Sequence, residues 1–299
     1  GEGDDPGEAI RSAAIGNVRN PQGYATPVGS EAVAPIEQFT AAADGLGHIN
    51  LAYDRDGTAR RERLLYQYRG VYVPSYTLTI AAKVMNLSPG RIQSEIGSWI
   101  RLASIEIPTT VYSEMLVSFK GPRGSFKRFS YFDVINGKVP ANLFKNKVVL
   151  VAASATGILN PLSTPVDPTM PVGEFSANTV WAMLNQQFIR QPFWSETAEL
   201  VLILAVGAII ALLLPRIKAK YSAPVFVLLF CLLFGGSAYL FAAQGLWMPV
   251  TYPTLQLILG YIGALSLSSF VTETRKEKRE GESAETNRML GLSFQSQGM

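Results

Sequence analysis

Cysteine, histidine and charge are all scarce in this chain. Of its 299 residues one is Cys, at 231, and one is His, at 48. A single cysteine excludes an intrachain disulfide, and one Cys with one His cannot supply the ligand set of a structural zinc site. Cys231 lies deep in an apolar run, which excludes a thiol–imidazole dyad with His48. Charged residues make up 16% of the chain, against about 25% in an average soluble domain. The net charge is +3 and no basic stripe interleaved with aromatics runs along the chain. Nucleic acid is therefore not an expected partner.

The charge deficit is local. Between residues 198 and 272 the charged residues are Glu199, Arg216, Lys218 and Lys220, whereas residues 1–196 have ordinary globular composition. Three apolar stretches result, at 197–215, 221–243 and 250–271. A bilayer core needs roughly 17–25 helical residues. These stretches are apolar all round, where a soluble helix keeps a polar face, so three membrane spans are expected and the lipid bilayer is a partner. Arg216, Lys218 and Lys220 follow the first stretch and Arg275, Lys276, Lys278 and Arg279 follow the third, while the loop at 244–248 carries no charge. By the positive-inside rule residues 1–196 lie outside the cytoplasm and the C-terminus inside. The expected location is a membrane, crossed several times. Trp194, Tyr221, Trp247 and Tyr252 fall at the expected interfaces. Gly260, Ala264 and Ser268 form a small-residue stripe in the third stretch. Such stripes let helix backbones approach closely; packing within the chain's own bundle is expected, with a homodimer seam as the alternative. The pair Gly235-Gly236 marks a kink or a close contact.

Residues 1–35 are rich in Gly, Pro, Ala and Asp and show no sustained periodicity. A domain destined for the outside needs a targeting segment; the chain opens with none, so it reads as a fragment. Beyond Ile36 the pattern predicts a strand at 47–53, a turn at 54–57 and a returning strand at 60–68 closed by Arg69-Gly70. Ser75 caps a helix expected over 75–85. Short strands are expected at 99–102, 115–120 and 126–131. Residues 147–153 form an apolar, β-branched run like a central parallel strand, and a Gly/Pro-rich loop at 157–173 then leads to a helix at 175–187. The expected class is a mixed-sheet α/β domain with functional loops at its strand ends.

No catalytic constellation is present. Asp54 and Asp56 with Asn50 lack the following Glu of a calcium loop, so they read as a turn. No G-x-S-x-G elbow surrounds Ser154 or Ser163, and Gly1, Gly3 and Gly7 lack the spacing that cradles phosphate. A transporter is disfavoured because the spans carry no charged residue near their centres. A binding or structural domain remains. Its best recognition surface is the loop at 157–165, which follows the most buried-looking strand and precedes a helix. The candidates on this surface are Ser154, Thr156, Asn160 and Thr164, with Glu174 at the helix start. No metal ligands and no cofactor are expected in this chain.

Residues 144–157, with Ser163-Thr164-Pro165 and the run from Pro171 to Asn178, resemble the type-2 CHASE sensory domain. Its pattern is a Lys-led apolar strand ending in Gly, a Thr-Pro, then P-G-V-E-x-H-A-N, followed by three transmembrane helices. Residues 47–50, 54–57 and Arg60 resemble its G-x-V-N and D-x-D-G-x-x-R segments, and the likeness spans residues 39–271. This chain departs from the pattern at Ala153, Asn160 and Ser176, where the family has Gly, often an acidic residue, and His. The family's first third is absent, in line with a fragment. The resemblance implies an extracytoplasmic sensor at 1–196, membrane helices at 197–272 and a cytoplasmic linker at 273–299. It also implies a role in sensing a small ligand for Ser154, Thr156, Asn160, Thr164 and Glu174, together with Asn178 further along the helix. Residues 290–298 resemble the opening of a tetratricopeptide helix. Together these features imply a bacterial receptor serine/threonine protein kinase, whose output domain binds ATP and Mg²⁺. A cyclase or histidine kinase output is the alternative, and a structural oligomerisation module a third reading.

Overall fold

The computed structural model describes residues 7–154, 160–192, 194–217 and 219–296. The chain divides into two compact units, Gly1–Arg190 and Gln191–Met299.

The first unit is mixed α/β. It opens with helix α1 (Glu8–Ala13), strand β1 (Asn17–Arg19) and helix α2 (Glu37–Ala42). Strands β2 (Arg61–Arg63), β3 (Leu65–Tyr68) and β4 (Val71–Pro74) lead into helix α3 (Tyr76–Val84). Then come β5 (Gln93–Glu95), β6 (Trp99–Leu102), β7 (Ile105–Pro108), β8 (Glu114–Val117) and α4 (Tyr131–Ile135). The hairpin β9 (Leu162–Thr164) and β10 (Asp167–Met170) precedes α5 (Val172–Leu184) and the short β11 (Phe188–Ile189). One sheet has the order β1-β5-β6-β7, another β11-β8-β2, and β3-β4 forms a hairpin of its own.

Several elements follow directly from their residues. Ser75 caps α3, its side chain accepting from the Leu78 N–H, as a hydroxyl at that position should. The β3–β4 turn places Arg69 at φ 44° and Gly70 at φ 79°, the two positive values of a two-residue hairpin whose twist matches its strands. The strand expected over 60–68 breaks at Leu64. Leu64 and Leu65 are both buried, and a flat strand cannot send two neighbours to one side. The chain bends there, pairing β2 with β8 and β3 with β4.

Three expected strands are corrected. Residues 47–53 make two single bridges, His48 to Ser75 and Ala52 to Arg61, in place of a ladder. Gly47 passes so close to the α3 start that a Cβ there would lie 2.4 Å from the Tyr76 nitrogen, a path set by close approach and not by pairing. Residues 126–130 form no strand, and α4 follows. The continuation of β8 has no free edge to offer them, since β2 and β11 already flank it. Residues 147–153 are without a ladder partner among the described residues, and Val148, Val149 and Val151 are exposed. A β-branched run favours extended backbone but does not provide the neighbouring strand. Conversely, residues 1–35, expected to be irregular, supply β1, which runs parallel to β5, and the buried Ile15.

The core lies between the sheets and α3 and α5, and includes Leu64, Leu78, Ile100, Ile107, Met115, Met170 and Phe175. Each such side chain removed from water contributes roughly 1.5–3 kcal/mol.

The second unit is helical: α6 (Ser195–Ala208), α7 (Ala219–Phe230), α8 (Gly236–Gln244) and α9 (Thr251–Ser296). Among the described residues, Ser195–Leu213 and Tyr221–Gln244 are long and apolar enough to cross a membrane. The helix opens into a wider π turn at Cys231–Gly235, where the glycine pair was expected to disturb it. Gly245, at φ +63°, ends α8 in the left-handed cap conformation that favours glycine. The third apolar stretch is not a separate helix. It opens α9, which runs 46 residues from Thr251 to Ser296 without a break, so that the linker expected from 273 onward is helical through Ser296. Gly260 faces the end of the first apolar helix, Ser195–Leu213: a Cβ there would lie 2.5 Å from Ile210 Cδ1. Phe226 of α7 stacks on Tyr261 of α9 with ring centroids 4.4 Å apart. The first member of the small-residue stripe is thus occupied within the chain. Ala264 follows one turn later on α9, and the Ser268 backbone continues that helix.

Candidate functional site

The polar centre of the first unit is built where β2 meets α3, which packs against α5. Counting back by two from the buried Leu64 places Glu62 on the same face. Its side chain is 2% exposed. Oε1 accepts a hydrogen bond from the Thr77 hydroxyl at 2.9 Å, and Thr77 shares a second one, at 2.9 Å, with the buried Ser75. Oε2 has no partner among the described residues. Tyr76, next along α3, lies beside Glu62 and beside Ser176 of α5. Burial raises the Tyr76 pKa, an effect the Ser176 hydroxyl opposes and the Glu62 charge adds to. Burial also pushes the Glu62 carboxyl up to about 7, the Thr77 hydrogen bond opposing it. Position 176, where the family pattern has His, therefore carries a hydroxyl within this cluster.

Residues 61 and 63 alternate to the other face of β2. There Arg63 reaches Glu114 of β8 at 2.5 Å and the Tyr66 hydroxyl at 2.7 Å. His48 packs edge-on to Tyr66 with centroids 5.0 Å apart. Neither of its ring nitrogens has a partner among the described residues. Burial first, and the Arg63 charge second, lower its pKa to about 4, so the imidazole is neutral near pH 7.

A third polar group closes the turn at 54–57. Arg60 bonds both Asp54 and Asp56, and Arg61 bonds Asp54, at 2.7–2.9 Å. The Arg60 guanidinium holds the Asp56 carboxyl well below the usual range. These carboxylates are engaged by cations of the chain, as a structural turn requires. Among the described residues no group of three or more His, Cys, Asp or Glu side chains gathers at metal-binding distance.

The six sensing candidates do not form one cluster. Asn178 is fully buried on α5: its Oδ1 accepts from the Lys120 N–H at 2.8 Å and its Nδ2 donates to the Glu174 carbonyl at 2.9 Å. Glu174 Oε1 accepts from the Gly124 N–H at 2.6 Å. Both therefore fasten the turn at 120–124 to α5. Thr164 Oγ1 exchanges hydrogen bonds with Asp167 across the β9–β10 turn, so part of the expected recognition loop is a closed hairpin. Ser154 and Asn160 are exposed, and Thr156 lies outside the described residues. A Cβ on Gly173 would sit 2.5 Å from the Ala152 Cβ, which brings the apolar run against the start of α5. Glu62, Tyr76, Thr77 and His48 were missed. The signal for Glu62 was its two-residue spacing from Leu64.

A model of the CHASE2 domain family matches residues 8–212, about two-thirds of the chain. The chain belongs to the CHASE2 family. CHASE2 domains are extracellular, non-catalytic sensor domains of signalling receptors. The match continues through β11 into α6 and ends within the first apolar helix. No curated protein and no solved structure matches the chain significantly.

Proposed function

We infer that this chain is the sensory and membrane-spanning region of a bacterial receptor whose output domain is a serine/threonine protein kinase. In this reading the CHASE2 unit lies outside, 250–271 is a third membrane span, and α9 emerges into the cytoplasm. The seven Lys and Arg residues flanking the first and third stretches support that direction. ATP and Mg²⁺ belong to the output domain, and no residue of this chain is assigned to them.

The observation that carries the reading is the continuity of α9. Its 46 residues include the third apolar stretch and the charged segment after it, and at about 1.5 Å per residue such a helix extends roughly 70 Å. A helix unbroken from bilayer to cytoplasm transmits a shift or rotation at its outer end. A stimulus acts by binding or favouring one ectodomain state over another. The test is Gly281→Pro in a full-length receptor. Proline breaks a helix interior, so the output should lose its dependence on the ectodomain. Output that still follows ectodomain substitutions after this change contradicts the reading.

A further inference from the structure

We propose that Glu62 is a proton-responsive element of this sensor, an uncharged carboxyl closed between β2, α3 and α5 whose ionisation loosens the contact of the two helices with the sheet. The proposal rests on the sensor reading above and adds the stimulus, the proton concentration outside the membrane.

The geometry carries it. Glu62 is buried with one oxygen bonded and the other without a partner among the described residues. A carboxylate held this way is unstable, because burial removes its water and no cation replaces it. The groups around it are defined element by element. From α3 it meets the Thr77 hydroxyl and lies near Tyr76, and Ser75 touches Thr77. From α5 comes Ser176, beside Tyr76, while Glu174 of that helix is turned to Gly124. Its register partner on β8 is Met115, which is apolar. The cations Arg61 and Arg63 leave β2 on the opposite face, where Arg63 is held by Glu114 and His48 is coupled to Arg63. The carboxyl thus keeps its proton in the packed state. Loss of that proton to solvent leaves a charge that is best relieved by admitting water between the sheet and the helices. A carboxyl that titrates near 7 responds where an ordinary surface carboxyl, long since ionised, does not.

The test is hydrogen exchange of the complete 299-residue chain in lipid nanodiscs, corrected for the intrinsic pH dependence of exchange. Between pH 6 and pH 8 opening of α3 and α5 should rise about tenfold in the wild type, by linkage between a closed-state carboxyl near 7 and an open-state one near 4.5. Glu62→Gln, which cannot ionise, should abolish the rise. Thr77→Val removes the hydrogen bond that favours the ionised form, so it should raise the closed-state value, move the plateau to higher pH and make the rise between pH 6 and pH 8 larger than in the wild type. Flat wild-type protection, or a rise that survives Glu62→Gln, overturns the proposal. An unmoved response in Thr77→Val counts against it even if Glu62→Gln does not fold. None of these results bears on the sensor reading, which is tested by output activity.

Discussion

Two parts of the sensor unit have similar apolar character and opposite fates. The part built from β2, β8, α3 and α5 is closed, with Leu64, Leu78, Met115 and Phe175 fully buried. The segment at 120–153 is open: Phe129, Tyr131, Phe132, Val148, Val149 and Val151 are exposed, the last at 79%. Its seven cations, Lys120, Arg123, Lys127, Arg128, Lys138, Lys145 and Lys147, face one acid, Asp133. That gives it a charge of +6 in a chain of +3. Apolar composition alone therefore does not bury a segment. Burial follows where a strand finds a sheet edge and a helix closes over it. The open segment is held at its base by backbone hydrogen bonds to Glu174 and Asn178.

Substitutions can break this comparison. Phe175→Ala should cost the most, about 3–5 kcal/mol, the usual loss for a fully buried aromatic. It is read from the denaturant midpoint of the sensor unit in detergent. A loss below 1 kcal/mol would show that the closed part is not packed as described.

The next effect is in pH, where two buried groups oppose each other. His48 has a folded pKa lowered to about 4 from 6.5, so its neutral form is favoured and stability rises with pH between those values. Glu62 has a folded pKa raised to about 7 from 4.5. Its contribution is full below 4.5 and is lost as pH rises to 7. Each contributes up to ~3 kcal/mol, and between pH 4.5 and 6.5 their slopes offset. Wild-type stability should be nearly flat there. Glu62→Gln should unmask a rise with pH, and His48→Phe a fall, in the same denaturation experiment.

Asn178→Ala comes third. It leaves the Lys120 N–H and the Glu174 carbonyl without their side-chain partner, a loss of about 1–3 kcal/mol. Exchange should rise first in the turn at 120–124. The smallest effect is Val149→Thr in the open segment, within about 0.5 kcal/mol of wild type. A large loss there would mean that the segment is packed in solution.

The same contrast governs what the sequence revealed. Local signals were legible: the Ser75 cap, the Arg69-Gly70 turn, strand 99–102 and the apolar helices each depend on neighbours in sequence. The strands expected at 47–53, 126–131 and 147–153 depend on distant partners, which propensity does not supply. The site divides in the same way. Glu174 and Asn178 could be named from their motif, but their partners at Gly124 and Lys120 lie 50 and 58 residues away. Glu62 sits between two arginines in a stretch that reads as polar surface, and with Leu64 and Leu65 adjacent the sequence does not say which of them sets the inward face of β2.

The central claim is that the state of the CHASE2 unit reaches the cytoplasm. It is tested most directly by the output activity of a full-length receptor carrying Asn178→Ala, with folding and membrane insertion verified. A coupled sensor should change its output roughly fivefold or more, the lower range of allosteric coupling. Unchanged output from a folded, inserted variant whose 120–124 turn is demonstrably released would contradict the account.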